Sequence, residues 1–214
     1  MSELVRSIPH RSHRLLLLFL TLGAVSGCSD QGPKPVRGDS RAKSYPLFSI
    51  DMDPQRTMPF DPAQPYRLKF GRGSKQDGLE TISIDEEGQV VLVRSAEGTS
   101  DDGQPSHWET AQFTIDSATR KQLAELILDL GITDMNLAYD AKVDEGCRWI
   151  FWLTQGEKQK SICFNNYFPD VIQDFAVRLD GVLNDAGLTR AKWSPVPAEQ
   201  DRIDEQDLWA STVH

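Results

Sequence analysis

The chain has 214 residues, of which 26% are charged, and its 32 acidic residues outnumber its 23 lysines and arginines for a net charge of −9. Residues 1–27 hold three of the arginines and one glutamate, so the chain beyond them carries 20 basic and 31 acidic residues and a net charge of −11. This balance argues against binding to nucleic acid or to an anionic lipid surface by charge alone.

The N-terminal segment has the regions of an export signal in the expected order. Its positive region contains Arg6, Arg11 and Arg14. The apolar run that follows, residues 15–22, is shorter than the roughly 20 residues that a membrane-spanning helix needs. Small residues come next, as a signal peptidase site requires.

Residues 22–29 read Leu-Gly-Ala-Val-Ser-Gly-Cys-Ser. This segment resembles the lipobox of bacterial lipoprotein precursors. The resemblance implies cleavage between Gly27 and Cys28, a diacylglycerol on the Cys28 sulfur, and acyl chains such as palmitate in the bilayer. It also implies a location in the cell envelope, at the outer membrane in a Gram-negative organism, because Ser29 stands where Asp would favour inner-membrane retention. The alternative is an ordinary secretory signal.

Composition divides the rest of the chain. We expect a signal peptide at 1–27, a lipidated N-terminus and polar tether at 28–63, one domain at 64–187, and an acidic, disordered tail at 188–214. Within the tether, residues 45–60 are too apolar for a free linker and are expected to pack on the domain. The alternative for the tail is that Leu208 and Trp209 dock into an apolar groove, on a partner or on this domain.

Period-two alternation predicts strands, and i, i+3, i+4 apolar spacing predicts two helices. One helix is expected to begin at a cap formed by Asp116 or Ser117 and to end at Gly131, and the other covers residues 169–186. The expected strands are residues 66–70, 80–85, 89–94, 108–115, 147–154 and 158–164. Hairpins followed by helices indicate an α+β fold, with an antiparallel sheet and two helices on one face.

The globular part, residues 66–186, is similar to uncharacterised domains found on bacterial lipoproteins. The shared features are the order hairpin, helix, hairpin, helix and an acidic residue followed by glycine in a turn, here Glu87-Gly88. No activity follows from this resemblance.

Cys147 and Cys163 form an even pair once Cys28 is set aside. A three-residue turn at 154–156, with Gly156 left-handed, would place the two cysteines directly opposite each other in a hairpin. We therefore expect a cross-strand disulfide, in keeping with an oxidising compartment. The alternative is two buried free thiols.

Residue types that commonly carry catalysis are sparse beyond the signal peptide. The two histidines left are His107, at a loop edge, and His214, the last residue. Ser40 and Lys43 have a Ser-x-x-Lys spacing, but they lie in the tether without companion motifs. The glycine-rich residues 71–75 match no phosphate-binding spacing and are expected to form a hairpin turn. We therefore expect a protein that is not an enzyme and that holds no cofactor or metal.

One predicted strand is apolar on both faces. Trp149 shares one face with Phe151 and Leu153, and Trp152 shares the other with Ile150. Burial on both faces explains this pattern. A platform for a partner is the alternative, and its candidate residues are Trp149, Trp152, Tyr167 and Phe168.

These observations favour a lipid-anchored envelope protein that binds another envelope component, either a protein or a glycan. The alternatives are a lipoprotein that binds a small ligand, such as a glycan or a metal, and, in third place, an enzyme.

Overall fold

A computed structural model describes residues 57–74, 77–96, 107–141, 146–196 and 202–212. Within these residues, eight strands form one sheet, accompanied by three α-helices. The strands are β1 Arg67–Ser74, β2 Gly78–Ile84, β3 Gln89–Ser95, β4 Trp108–Thr114, β5 Ala138–Asp140, β6 Cys147–Gln155, β7 Lys158–Asn165 and β8 Ser194–Pro195. The helices are α1 Ser117–Asp129, α2 Asp170–Ala186 and α3 Ile203–Ala210. The predicted α+β class is confirmed.

The strands follow the spatial order β5-β7-β6-β1-β2-β3-β4-β8. Every neighbouring pair is antiparallel except β5 and β7, which are parallel. Strand β1 is therefore central, with β2 on one side and β6 on the other. Because β1 and β6 come from distant parts of the chain, this pairing joins the N-terminal hairpin to the C-terminal one.

Local signals determine where α1 begins and ends. The Asp116 carboxylate accepts a hydrogen bond of 2.8 Å from the backbone N–H of Thr119, so Asp116 rather than Ser117 is the cap. This backbone hydrogen bond also lowers the pKa of Asp116. At the other end, Gly131 has a φ of 65°, a left-handed conformation that glycine adopts without strain.

Helices α1 and α2 share one apolar cluster with the side chains of a single sheet face. Phe175 of α2 is fully buried and packs edge-to-face against Phe70 and Phe151, with ring centroids 5.6 and 5.4 Å apart. Such aromatic pairs add to the stabilisation from burial. The strand residues of this cluster are Leu68, Phe70, Ile82, Ile84, Val90, Leu92, Phe151, Leu153, Ile162 and Phe164. We call this cluster the main core.

The polypeptide before β1 contributes to the main core. The apolar composition of residues 45–60 predicted that this segment packs on the domain, and the structure confirms this for the described part, residues 57–60. Met58 is buried and donates its N–H to the carbonyl of Thr133 at 3.1 Å. Phe60 packs edge-to-face on Tyr66, whose hydroxyl donates to the carbonyl of Arg120 at 2.8 Å. Burial raises the pKa of Tyr66 well above its ordinary value. The rest of the expected tether lies outside the described residues.

Two local expectations are wrong. Residues 71–74, expected as a turn, continue β1 and pair with β2 as far as the match of Ser74 with Gly78. The domain also extends past residue 187, because a 3-10 turn at Leu188–Arg190 leads to β8, which pairs with the edge of β4. No helix in the described part of the chain has the length and apolar character needed to cross a membrane.

Candidate functional site

Strand β6 is buried on both faces, and a different set of residues covers each one. Phe151 and Leu153 face α1 and α2 within the main core. Ile150, on the opposite face, belongs to a second apolar cluster with Leu79 of β2 and Leu208 of α3. Side chains alternate between the two faces of a strand, and β6 has apolar residues on both. Burying them requires one packed element on each face of the sheet. We call the second cluster, with Trp152 and Trp209 packed beside it, the α3 site.

The four residues predicted as a partner surface do not form one surface, so that prediction is wrong as stated. Trp149 is half-buried on the main-core side, with its ring 4.6 Å from Phe168 and 5.8 Å from Phe70. Tyr167, 39% exposed, has its ring 6.1 Å from that of Tyr139. Trp152 lies on the other face of the sheet, at the α3 site. Neighbouring residues of a strand point to opposite faces of the sheet. Trp149 and Trp152 are three positions apart in β6, so they lie on different faces.

Helix α3 lies close against the second face of the sheet because glycine makes room for it. Leu208 is 1% exposed, and a Cβ added at Gly71 would lie 2.9 Å from Leu208 Cδ1. A side chain at residue 71 would therefore push Leu208 away from β1. Gly78 has a similar role at the start of β2, where an added Cβ would lie 2.9 Å from the Trp108 ring.

A polar network holds the first turn of α3. The guanidinium of Arg202 lies 3.8 Å from the ring of Trp108 and donates to the backbone carbonyl of Leu79. It also pairs with Asp204 at 3.1 Å, and Asp204 in turn accepts a hydrogen bond from Thr81, which is 2% exposed. Arg202 Nη2 is hydrogen-bonded, whereas the buried Nη1 has no hydrogen-bond partner among the described residues and lies 3.4 Å from the Glu205 carboxylate. The opposite charge of Glu205 compensates the partial burial of Nη1. Acidic residues in the first turn also interact favourably with the helix dipole.

Two cations of the sheet contact the rest of α3, one through an ion pair and one through an aromatic ring. Lys69 of β1 forms an ion pair of 2.8 Å with Asp207, and the Arg148 guanidinium lies 5.5 Å from the ring of Trp209. The Ser161 and Ser211 hydroxyls are hydrogen-bonded at 3.0 Å. An acidic helix thus lies between two cations supplied by the sheet.

The predicted disorder of the tail is wrong for its described residues, 188–196 and 202–212, which carry a 3-10 turn, a strand and a helix. The alternative expectation, that Leu208 and Trp209 dock into an apolar groove on this domain, is the one observed. The signal in the sequence was the apolar pair at the end of an acidic segment. Composition alone missed the helix because its stability comes from contacts with β1, β2 and β6, which are distant in sequence.

The predicted disulfide between Cys147 and Cys163 is also wrong, because Cys163 carries a free thiol. Gly156 is left-handed, as expected, with a φ of 58°. However, the last register pair before the turn is Gln155 with Lys158, which makes the turn two residues long and places Cys163 opposite Ile150. Burial raises the pKa of the Cys163 thiol.

A second candidate site is an open cleft of about 680 Å³ between β4 and the segment that follows α2. Arg190 and Lys192 are exposed there, and among the described residues neither makes an ion pair. Thr110, Gln112 and Ser194 add polar groups to the lining. Sequence reasoning missed this cleft, because its residues belong to separate elements and match no motif.

Across residues 57–74, 77–96, 107–141, 146–196 and 202–212, no group of three or more histidine, cysteine or acidic side chains is arranged to hold a metal ion. Nε2 of His107 lies 3.9 Å from Oε1 of Glu109, and the His107 side chain is half exposed. Cys28 and His214 lie outside the described residues. Neither a protein-family model nor a curated protein matches the chain.

Proposed function

We propose that this chain is a lipid-anchored envelope protein whose α+β domain binds another envelope component and catalyses no reaction. The lipobox-like segment that ends at Cys28 supports the anchor. The observation that carries the binding role is the α3 site, where one face of the sheet holds a short acidic helix through Leu208. A sheet face with this shape and these flanking charges can hold a helix from a partner by the same contacts.

The anchor is tested first. Each buried methylene contributes about 0.8 kcal/mol to membrane binding, so two or three acyl chains hold a protein to the bilayer without a second anchor. Cys28→Ala is expected to abolish incorporation of labelled palmitate and to release the chain from the membrane fraction. Cys163→Ala is the matched control, because it removes a cysteine within the domain and should leave both properties unchanged. Labelling and membrane retention in the Cys28→Ala variant would contradict the proposal.

The binding role is tested in native membranes. A photo-crosslinking amino acid at Lys69, which lies on β1 against α3, is expected to capture a defined envelope component. The same probe at Val177, an exposed position on α2, is the control for non-specific capture. If the two positions capture the same set of molecules, binding through the α3 side of the domain is ruled out.

The cleft beside β4 favours one alternative, the binding of a small anionic ligand such as an acidic glycan. Its support is the pair Arg190 and Lys192, two cations without an ion pair among the described residues, on a chain of net charge −9. Replacing both by glutamine should abolish binding of an oligouronate, measured by calorimetry. Lys121→Gln, on an exposed face of α1, is the matched charge control.

A further inference from the structure

Helix α3 buries little apolar surface, and exposed or partly exposed polar contacts supply the rest of its attachment to the sheet. Of its residues, Leu208 is the one that is fully buried, whereas Ile203 is 58% exposed. By contrast, α2 buries five side chains in the main core. A helix of eight residues is not stable alone in water, so α3 is helical because the sheet binds it. Its docked state therefore responds to any competitor for the same surface.

The surface under α3 is built from elements that α3 does not hold in place. Gly71, Leu79 and Ile150 lie on β1, β2 and β6, whose opposite faces belong to the main core. The groove is consequently expected to keep its shape when α3 leaves. Its floor is apolar at Leu79 and Ile150, and polar at the buried Thr81 and Ser161.

Charge and shape specify what fits this groove. Lys69 and Arg148 lie on the sheet, one paired with Asp207 and the other over the ring of Trp209. Gly71 leaves space for a leucine side chain. The complementary ligand is therefore an acidic helix with adjacent leucine and tryptophan.

We infer that the groove beneath α3 is a docking site for an acidic Leu-Trp helix of a partner protein, and that α3 is its intramolecular occupant. This inference rests on the proposed function and adds the chemistry of the partner. A tethered segment competes at an effective concentration in the millimolar range. The partner helix binds when it outcompetes α3, so the tail keeps the site closed until such a helix is present.

A peptide in trans tests this inference. A fluorescent peptide with the sequence of residues 198–214 is titrated into the full-length chain and into its Leu208→Ala variant, with anisotropy as the readout. The variant is expected to bind the peptide at least tenfold more tightly than the unsubstituted chain, because its own α3 competes less well. Ile203→Ala is the matched control on the same helix and should bind like the unsubstituted chain.

The peptide also reports on specificity. A peptide carrying Asp207→Lys should lose at least tenfold in affinity for the Leu208→Ala variant, because the ion pair with Lys69 becomes a repulsion. If Leu208→Ala fails to fold, Asp207→Lys in the full-length chain is used instead. That variant weakens α3 at an exposed ion pair and should bind the unsubstituted peptide several-fold more tightly.

Two outcomes overturn the inference. One is equal peptide affinity in all chains, which would make α3 a permanent part of the fold. The other is a concentration-dependent dimer of the unsubstituted chain with exchanged α3 helices, which would make a second copy the occupant. Because peptide binding needs neither an acyl chain nor a captured partner, its failure is distinguishable from failure of the proposed function.

Discussion

Replacing Leu208 with alanine is expected to release α3 while leaving the main core folded. A buried leucine cut to alanine typically costs about 2–5 kcal/mol, which combines lost burial and the cavity left behind. Leu208 belongs to a small cluster with Leu79 and Ile150, so we expect a value near the lower end, about 2–3 kcal/mol. At about 1.4 kcal/mol per tenfold change, this raises the undocked fraction of α3 by about 30- to 150-fold.

The effect should be local, because the main core contains neither Leu208 nor any other residue of α3. Amide hydrogen exchange should accelerate for residues 205–212, and the urea midpoint of the domain should change little. Phe175→Ala is the contrasting variant, since Phe175 packs against Phe70 and Phe151 in the main core. It should cost about 3–5 kcal/mol and lower the urea midpoint of the whole domain.

The comparison of the two variants can refute this reasoning. If Leu208→Ala lowered the urea midpoint as much as Phe175→Ala does, the two faces of the sheet would form one cooperative unit. Unchanged exchange at residues 205–212 would instead mean that the polar network around Arg202 holds α3 without Leu208.

Three further results are expected. Asp116→Ala should destabilise the domain at neutral pH, and its stability difference from the unsubstituted chain should vanish as pH falls through the lowered pKa of Asp116 in the folded state. Asp116→Asn should retain the cap without this pH dependence, and acid titration of unfolding measures both effects. Tyr66→Phe should cost about 1 kcal/mol, because the hydrogen bond to the Arg120 carbonyl is lost. Since the pKa of Tyr66 is raised in the folded state, the contribution of the neutral phenol to stability is lost as pH rises above the unfolded pKa, near 10. Absorbance titration at alkaline pH measures the pKa of this phenol, and ionisation at its ordinary value would contradict the burial argument. Peptide mapping under non-reducing conditions should find no disulfide between Cys147 and Cys163, and finding one would contradict the two-residue turn.

Burial of both faces of β6 was predicted, whereas the single partner surface predicted for Trp149, Trp152, Tyr167 and Phe168 was wrong. The apolar pattern of β6 indicated that the faces of Trp149 and Trp152 both needed cover, and the structure supplies α1 and α2 for one and α3 for the other. The pattern did not show which segment packs on the Trp152 face. The sequence offered residues 45–60, an open patch or the tail, and these choices differ only in contacts between distant residues.

Sequence patterns were enough to predict the α+β class and the two long helices, because these depend on side-chain periodicity. They narrowed the cap of α1 to Asp116 or Ser117, and the structure selects Asp116. The parallel pairing of β5 and the position of α3 depend on contacts between distant residues, and the register of the β6–β7 hairpin depends on the length of its turn. The register changed because the turn has two residues rather than three, which moved Cys163 away from Cys147. Helix α3 forms only on the sheet, because an eight-residue helix with one fully buried side chain is not stable alone. Gly71, Leu79 and Ile150 provide the surface that binds it.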